Sequence, residues 1–184
     1  MPRIDAPTAV ARSLTLAAAT AAVALPTLVA HAQDAVQWRV EDGGNGHWYE
    51  FVEVDGFSWT ESRIIAEDRG GHLATITSQN ESNFLGYGGF CVWIGGFQDL
   101  SDPDYSEPDG AWKWITGEVW DWTNWRTSNG EPNDFGLDEH FLTLNTDGKW
   151  NDQDNTPACS GYLIEWSADC NNDGIVDYGQ ILDG

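Results

Sequence analysis

From Gly95 to His140 the chain runs with almost no hydrophobic period. The segment holds "GGFQDLSDPDYSEPDGA", a short strand pattern around Trp112–Ile115, and then Gly117 to Asp134 with Trp120, Trp122 and Trp125 but no repeat of a strand or helix. Loops of this length inside a compact domain usually serve a function. Their ordering entropy is not repaid by sheet hydrogen bonds, so something internal must hold them. A metal ion would do so. Whatever fold the rest of the chain adopts must present and stabilise this loop.

The flanking segments predict both element types. "HWYEFVEV", His47 to Val54, alternates bulky and polar residues and predicts a strand. Ser58 followed by Glu61 is a capping box that opens a helix ended by Gly70-Gly71. Trp59, Ser62 and Ala66 are spaced three and four apart and share its buried stripe. "HLATI" predicts a short strand, and Ser78 with Glu81 caps a second helix that runs to about Leu85. Strands follow at Val92–Ile94, Trp112–Ile115, Phe141–Leu144 and Tyr162–Trp166. Two helices precede a strand-rich half, so the expected class is α+β.

The N-terminal residues read as a removable leader. Arg3 and Arg12 precede an uncharged, alanine-rich run from Ser13 to Ala30, closed by the small-x-small pattern Ala30-His31-Ala32. Residues 1–32 are therefore expected to be a signal peptide, leaving no transmembrane segment in a secreted, extracellular or cell-surface chain. About 150 residues remain, enough for one packed domain. A hydrophobic content of 41% with eleven tryptophans points to a real core. The net charge of −22 excludes nucleic acid as a partner, because phosphate must be neutralised by Lys and Arg, and it disfavours anionic membranes. Three cysteines, Cys91, Cys159 and Cys170, allow one internal bridge in any of three pairings, and none of their spacings is that of a zinc site.

Two oxygen-rich stretches, "GEPNDFGLDEHF" and "GKWNDQDN", lie close together near the end of the irregular region. Turn geometry alone accounts for their Gly, Pro, Asn and Asp. It does not account for the recurrence of Glu131, Asn133 and Glu139 followed by Asn151 and Asp152. Calcium takes six to eight oxygen ligands from carboxylates, amide carbonyls and water, and these five residues supply such a set. The mixture of acid and amide has a second use. A sugar hydroxyl can give a lone pair to the ion, accept a hydrogen bond from an asparagine NH2 and donate its own proton to a glutamate. Two Asn/Glu pairs around one ion would grip two vicinal hydroxyls. His140 beside Glu139 has no second histidine or cysteine nearby, which argues against zinc hydrolysis, and no nucleophile–base pair indicates an enzyme.

The segment 37–167 resembles a C-type lectin-like domain, of the secreted bacterial type. The matching motifs are "SWTESRIIAEDRGGHLATI", "VWIGG", "GEPND", "GKWND" and "YLIEW", in that order. The resemblance implies the C-type lectin-like fold, with two helices, antiparallel sheets and a long irregular calcium-binding loop. It places the sugar-binding calcium site on Glu131, Asn133, Glu139, Asn151 and Asp152, the first four also contacting carbohydrate, with Pro132 preceded by a cis bond. The Glu-Pro-Asn order is similar to that of members selecting mannose-type sugars. An additional calcium in the long loop would draw on Asp99, Asp109 and Asp134, with Glu139 also matching. The family's usual disulfides are missing: Ala66 and Ile164 stand at one pair of positions, and Phe141 replaces one partner of the other, leaving Cys159 orphaned.

Single residues weigh both ways. Trp93, Trp112, Trp114 and Trp150 are expected in the core, Trp150 anchoring the ligand-bearing turn, and His72 is expected to be structural. Trp120, Trp122 and Trp125 either pack under the loop or offer a stacking face to a sugar, with packing favoured. In the acidic tail, residues 168–184, Asp169, Asn171, Asp173, Ile175 and Asp177 match the first nine positions of an EF-hand or dockerin-like calcium loop, but Gln180 stands where the closing acid belongs and no second copy follows. The function expected is secreted, Ca2+-dependent binding of glycans or glycoproteins. The alternative is a protein-binding or adhesion module of the same fold, in which calcium is structural.

Overall fold

The computed structural model describes residues 35–86, 89–168 and Tyr178. The expected leader, Cys170, the tail calcium loop with Asp169, Asn171, Asp173, Ile175 and Asp177, and Gln180 lie outside the described residues. The elements in chain order are β1 (Val36–Gln37), β2 (Trp48–Glu53), α1 (Trp59–Asp68), β3 (His72–Leu73), α2 (Gln79–Leu85), β4 (Val92–Gln98), β5 (Trp112–Trp114), β6 (Phe141–Leu144), β7 (Trp150–Gln153) and β8 (Gly161–Trp166). They form the expected α+β arrangement, with both helices ahead of most of the strands. The sheet runs β1-β2-β8-β4-β6-β7, with β3 added on β8 and β5 on β4. Strands β1 and β7 carried no separate signal in the sequence.

Helix α1 is built and docked by the residues that predicted it. The Ser58 side chain accepts from the Glu61 N–H while the Glu61 carboxylate accepts from the Ser58 N–H at 2.9 Å, closing the capping box. Trp59, Ser62 and Ala66 are its buried face. Two indole bonds fasten it to β4: Trp59 Nε1 donates to the Ile94 carbonyl at 2.7 Å, and Trp93 Nε1 donates to the Phe57 carbonyl at 2.8 Å. Close approach explains the paired glycines of "WIGG". A Cβ on Gly95 would lie 2.5 Å from the Leu73 carbonyl oxygen, and one on Gly96 would lie 2.5 Å from Leu142 Cδ2. Ala66 and Ile164 are both fully buried in one cluster, an apolar pair in the place the resemblance gives to a disulfide.

Cys159 is not orphaned. It pairs with Cys91, their Cα atoms 4.7 Å apart, while Phe141 packs instead against Trp59 with ring centroids 4.7 Å apart. The bridge also accounts for a departure from the antiparallel sheets expected. Cys91 immediately precedes β4 and Cys159 lies two residues before β8, so both strands leave one tethered point and run parallel, with Val92 opposite Gly161 and Trp93 opposite Tyr162. Every other strand pairing is antiparallel among the described residues.

Below the sheet's N-terminal half lies a buried polar knot. Glu165, on β8, accepts from the Thr75 N–H at 2.8 Å and meets His47 Nδ1 at 2.5 Å. The Tyr49 hydroxyl donates to Glu81 at 2.6 Å and sits 3.3 Å from Glu165. Glu81 therefore turns inward from α2, where its other oxygen accepts from the Thr77 N–H at 2.8 Å. His72 is structural, its Nε2 3.0 Å from the Ser167 hydroxyl.

Tryptophans organise the irregular half. Trp150, fully buried on β7, has ring centroids at 5.5 Å from Trp114, 5.5 Å from Trp120, 5.2 Å from Trp122 and 5.9 Å from Trp125. Trp112 stacks on Trp120 at 6.0 Å. Trp120, Trp122 and Trp125 thus pack under the loop. The backbone of Trp150 adds two bonds, its N–H donating to the Asn124 carbonyl and its carbonyl accepting from Arg126, at 2.9 and 2.8 Å.

Two stability outcomes follow from these contacts. Trp150→Ala should cost about 3–5 kcal/mol, the range for an aromatic truncated in a packed core, and should loosen the loop, read by denaturant unfolding and by hydrogen exchange at residues 120–126. The Cys91–Cys159 bridge spans a sequence separation of 68, for which the chain-entropy model gives about 4 kcal/mol. Urea melts of the double variant Cys91→Ser/Cys159→Ser measure it.

Candidate functional site

The irregular loop and β7 meet at a cluster of oxygen atoms. The loop first turns through Thr127–Asn129 and leaves it at Gly130, whose φ of 88° is the left-handed conformation glycine adopts cheaply. The Glu131-Pro132 bond that follows is cis, as the resemblance implied. The chain is then bolted to β7 by Asp152, which is fully buried. The Asn133 and Asp134 N–H groups donate to one of its oxygens at 2.9 and 2.7 Å. Glu139 closes the far side: its carboxylate accepts from the Phe135 N–H at 2.7 Å, and its own N–H donates to Asp134 Oδ1 at 3.2 Å.

Of the five residues expected at the first site, Glu131, Asn133, Glu139 and Asp152 lie at this junction, and Asn151 is the neighbour of Asp152 on β7. Glu131 and Glu139 are each only 7% exposed. The Asn133 side-chain amide donates to the Glu131 carboxylate, and the Asn151 amide donates to the Asp152 carbonyl. Asp134, expected at a second ion, lies in the same cluster. The other two members of that second set are elsewhere engaged or open. Asp99 is held by Lys113 at 2.7 Å, which keeps its carboxyl low, at about 2, and Asp109 is exposed. Asp102 shares the same ammonium at 2.6 Å. His140 turns its Nδ1 to Gln98 at 3.0 Å and to Glu107 at 3.4 Å, with Nε2 3.5 Å from Asp138.

Four buried acids, Glu131, Asp134, Glu139 and Asp152, meet in one place. Burial pushes Glu131 up to about 7, helped by the charge of Asp152 and a hydrogen bond to it and opposed by Arg126. Burial likewise pushes Glu139 to about 7; the Phe135 N–H opposes this, while the charges of Asp152, Glu131 and Asp154 add to it. Asp152 is raised too, again by burial first, against the N–H bonds it accepts. Among the described residues no three His, Cys, Asp or Glu side chains already surround one point as metal ligands. The oxygen-bearing groups here are four carboxylates and two amides, and part of the carboxylate capacity is spent on backbone N–H groups and on Asn133. Hard oxygens, excess negative charge and a shortage of internal counter-charge fit a divalent cation of calcium's kind.

Comparison with known proteins decides the family. The family model described as the lectin C-type domain matches residues 56–161. The chain belongs to that family. Halomucin of Haloquadratum walsbyi is 37% identical over 143 residues, covering 66% of this chain and 1% of that protein. Asialoglycoprotein receptor 2 of Rattus norvegicus is 31% identical over 124 residues, covering 64% of this chain and 37% of that protein. The lectin domain here therefore spans only a part of these relatives. Among solved structures, the cow C-type carbohydrate-recognition domain of CD23, in the presence of GlcNAc2Man3 oligosaccharide, aligns with a TM-score of 0.61 at 26% identity, over 75% of this chain and 96% of that one. The C-type lectin fold follows from the family match and this alignment together.

Two features of the site had weak sequence signals. Asp134 sits beside Glu-Pro-Asn, yet its place between Asp152 and Glu139 depends on a φ of 47° that the sequence does not announce. Phe135 and Leu137 are each 83% exposed, an outward placement that no pattern in the sequence marks.

The raised acids set a pH dependence for the cation-free lectin domain. In chelator, the folded form holds protons on Glu131 and Glu139 that the unfolded chain, with values near 4.5, has released. This contribution to stability is complete below about 4.5 and is lost as pH rises through about 7. Thermal melts in EDTA from pH 4.5 to 8 should show that fall, and Glu139→Gln should flatten it.

Proposed function

We propose that this chain is a secreted, Ca2+-dependent carbohydrate-binding protein that recognises glycans or glycoproteins and prefers mannose-type sugars. Its domain spans residues 37–167 after removal of the leader 1–32, and the acidic tail carries a partial calcium loop of its own. The observation that carries the proposal is the buried carboxylate cluster of Glu131, Glu139 and Asp152, with the Asn133 amide bonded to Glu131 and Asn151 next to Asp152 on β7. Calcium would neutralise the cluster and offer coordination positions to two sugar hydroxyls. Glu131, Asn133, Glu139 and Asn151 would accept and donate the hydroxyl hydrogen bonds, and Asp152 would hold the loop against β7. The family is one of lectins. The role proposed is recognition, with no chemical turnover.

Acid and calcium should oppose each other. Ion binding needs the carboxylates deprotonated, so the gain in melting temperature from calcium over EDTA should grow from pH 5 to pH 7.5. At a hundredfold excess over the dissociation constant the gain is about 2.7 kcal/mol. An unchanged midpoint at saturating calcium would remove the ion from the proposal.

Selectivity is tested by exchanging donor and acceptor. Glu131→Gln with Asn133→Asp retains one carboxylate and one amide and leaves net charge unchanged, but reverses their order across the sugar. Calcium affinity should fall only modestly, while the mannose-to-galactose affinity ratio should fall by about tenfold, a single hydrogen-bond reversal's worth. Competition assays with both sugars on both proteins read the ratio. Binding of neither sugar by the wild type in saturating calcium would transfer the proposal to a protein-binding module with structural calcium.

A further inference from the structure

The buried polar knot beside α2 brings together two acids and little positive charge. Glu81 and Glu165 are both almost fully buried, and the Tyr49 hydroxyl lies within reach of each, 2.6 Å from Glu81 and 3.3 Å from Glu165. One hydroxyl carries one proton, so it satisfies one carboxylate and not both. Every lysine and arginine described is bonded to another group. From the segment before β2, His47 brings Nδ1 to 2.5 Å from Glu165, and the Asn45 amide donates to the Tyr49 oxygen at 2.8 Å. From β3, His72 keeps Nδ1 3.9 Å from Glu165 and 3.0 Å from the Leu73 carbonyl. The Thr75 N–H donates to Glu165 and the Thr77 N–H to Glu81, each at 2.8 Å. Exposed Glu118 adds a further negative charge that acts on His47. Among the described residues, only the two imidazoles can bring positive charge to this pair of acids.

Helix α2 depends on this knot. At seven residues it is too short to persist alone in water. Glu81 fastens it inward to Tyr49, and Phe84 packs against Trp38 and Tyr49 with ring centroids 5.6 and 5.8 Å apart. We propose that the knot is a proton-operated latch: protons on His47 and on the Glu81–Glu165 pair hold α2 against β2 and β8, and their release as pH rises frees the helix. Burial pulls the His47 imidazole down, but its hydrogen bond to Glu165 and the charges of Glu165, Glu81 and Glu118 outweigh this and raise it above 6.5. Burial raises Glu81 against the Tyr49 and Thr77 bonds, and the charge of Glu165 adds to the rise. Both shifts act in one direction. The His47 contribution to stability is complete below 6.5 and that of Glu81 below 4.5, and each is lost as pH rises through the group's folded value. Two charged carboxylates sharing one hydroxyl then repel where water screens them poorly. The helix, held by one acid and one ring, opens before the sheet does.

The test follows the full chain in saturating calcium from pH 5.5 to 9. Its readouts are NMR of the histidine rings and amide hydrogen exchange at residues 79–85, corrected for the intrinsic pH dependence of exchange. The ring resonance that His47→Gln removes should titrate with a midpoint above 6.5. Protection of α2 should fall by about tenfold across that midpoint, the worth of one charge-assisted hydrogen bond, while protection in β4 and β6 holds. Glu81→Gln keeps a hydrogen-bonding group toward Tyr49 and Thr77 without the charge, so its α2 protection should stay level with pH. A His47 midpoint at or below 6.5, wild-type α2 protection that does not change with pH, or a Glu81→Gln profile like the wild type's overturns the latch. So does a profile present in EDTA and abolished by calcium, which would assign the neutralising charge to a cation.

Discussion

Trp150 is the contact on which the irregular half of the molecule depends. Its ring lies among Trp114, Trp120, Trp122 and Trp125, and its backbone pairs with Asn124 and Arg126 on both sides. A loop without sheet hydrogen bonds has to be ordered by side chains. Here indole surface supplies what a ladder would supply elsewhere, since each aromatic ring buries a large area at a cost of only two side-chain torsions. The next two residues on the same strand are Asn151 and Asp152. The core contact that orders the loop thus also sets the height at which the ligand-bearing turn meets β7.

Division of labour between core and site resolves a tension in the loop. The cluster of Glu131, Glu139 and Asp152 is repulsive, and burial makes it more so. Such a cluster cannot order a loop by itself and would expel one if nothing opposed it. The tryptophan packing, the N–H bonds from Asn133 and Asp134 to Asp152, and the Glu139 bond to Phe135 oppose it. Under the proposed function, a cation would meet a loop already ordered by these contacts instead of having to fold it. That is the condition for binding energy to be spent on ligand recognition, because the ordering entropy has already been met by folding.

The other half of the molecule is held by different means. The Cys91–Cys159 bridge starts β4 and β8 together, reciprocal indole bonds fix α1 on β4, and the polar knot of His47, Tyr49, Glu81 and Glu165 ties β2, α2 and β8. Among the described residues, the hydrogen bonds of these groups go elsewhere than to the candidate site. They produce the rigid sheet whose far edge, β6 and β7, the site uses. A site built on a strand end and braced by a packed loop is positioned more tightly than one on a free loop.

Local rules made much of this protein legible in its sequence. Helix α1 was readable because its cap and buried stripe involve residues three and four apart, and β2 because its side chains alternate. The five oxygen-bearing residues stood out because turn chemistry did not explain the acids, and the cis bond followed from Pro132 through the family resemblance. What tertiary structure decided are relations between distant segments. The pairing of Cys91 with Cys159 and the parallel run of β4 beside β8 require the two strand starts to meet, which no local pattern encodes. The inward turn of Glu81, the placement of Asp134 between Asp152 and Glu139, and the outward stance of Phe135 and Leu137 depend on which neighbours filled the interior first. Composition and spacing determine which residues can form a strand, a cap or a ligand set. Only packing determines which side of the loop each one faces, because that choice is a competition for buried volume among groups far apart in the chain.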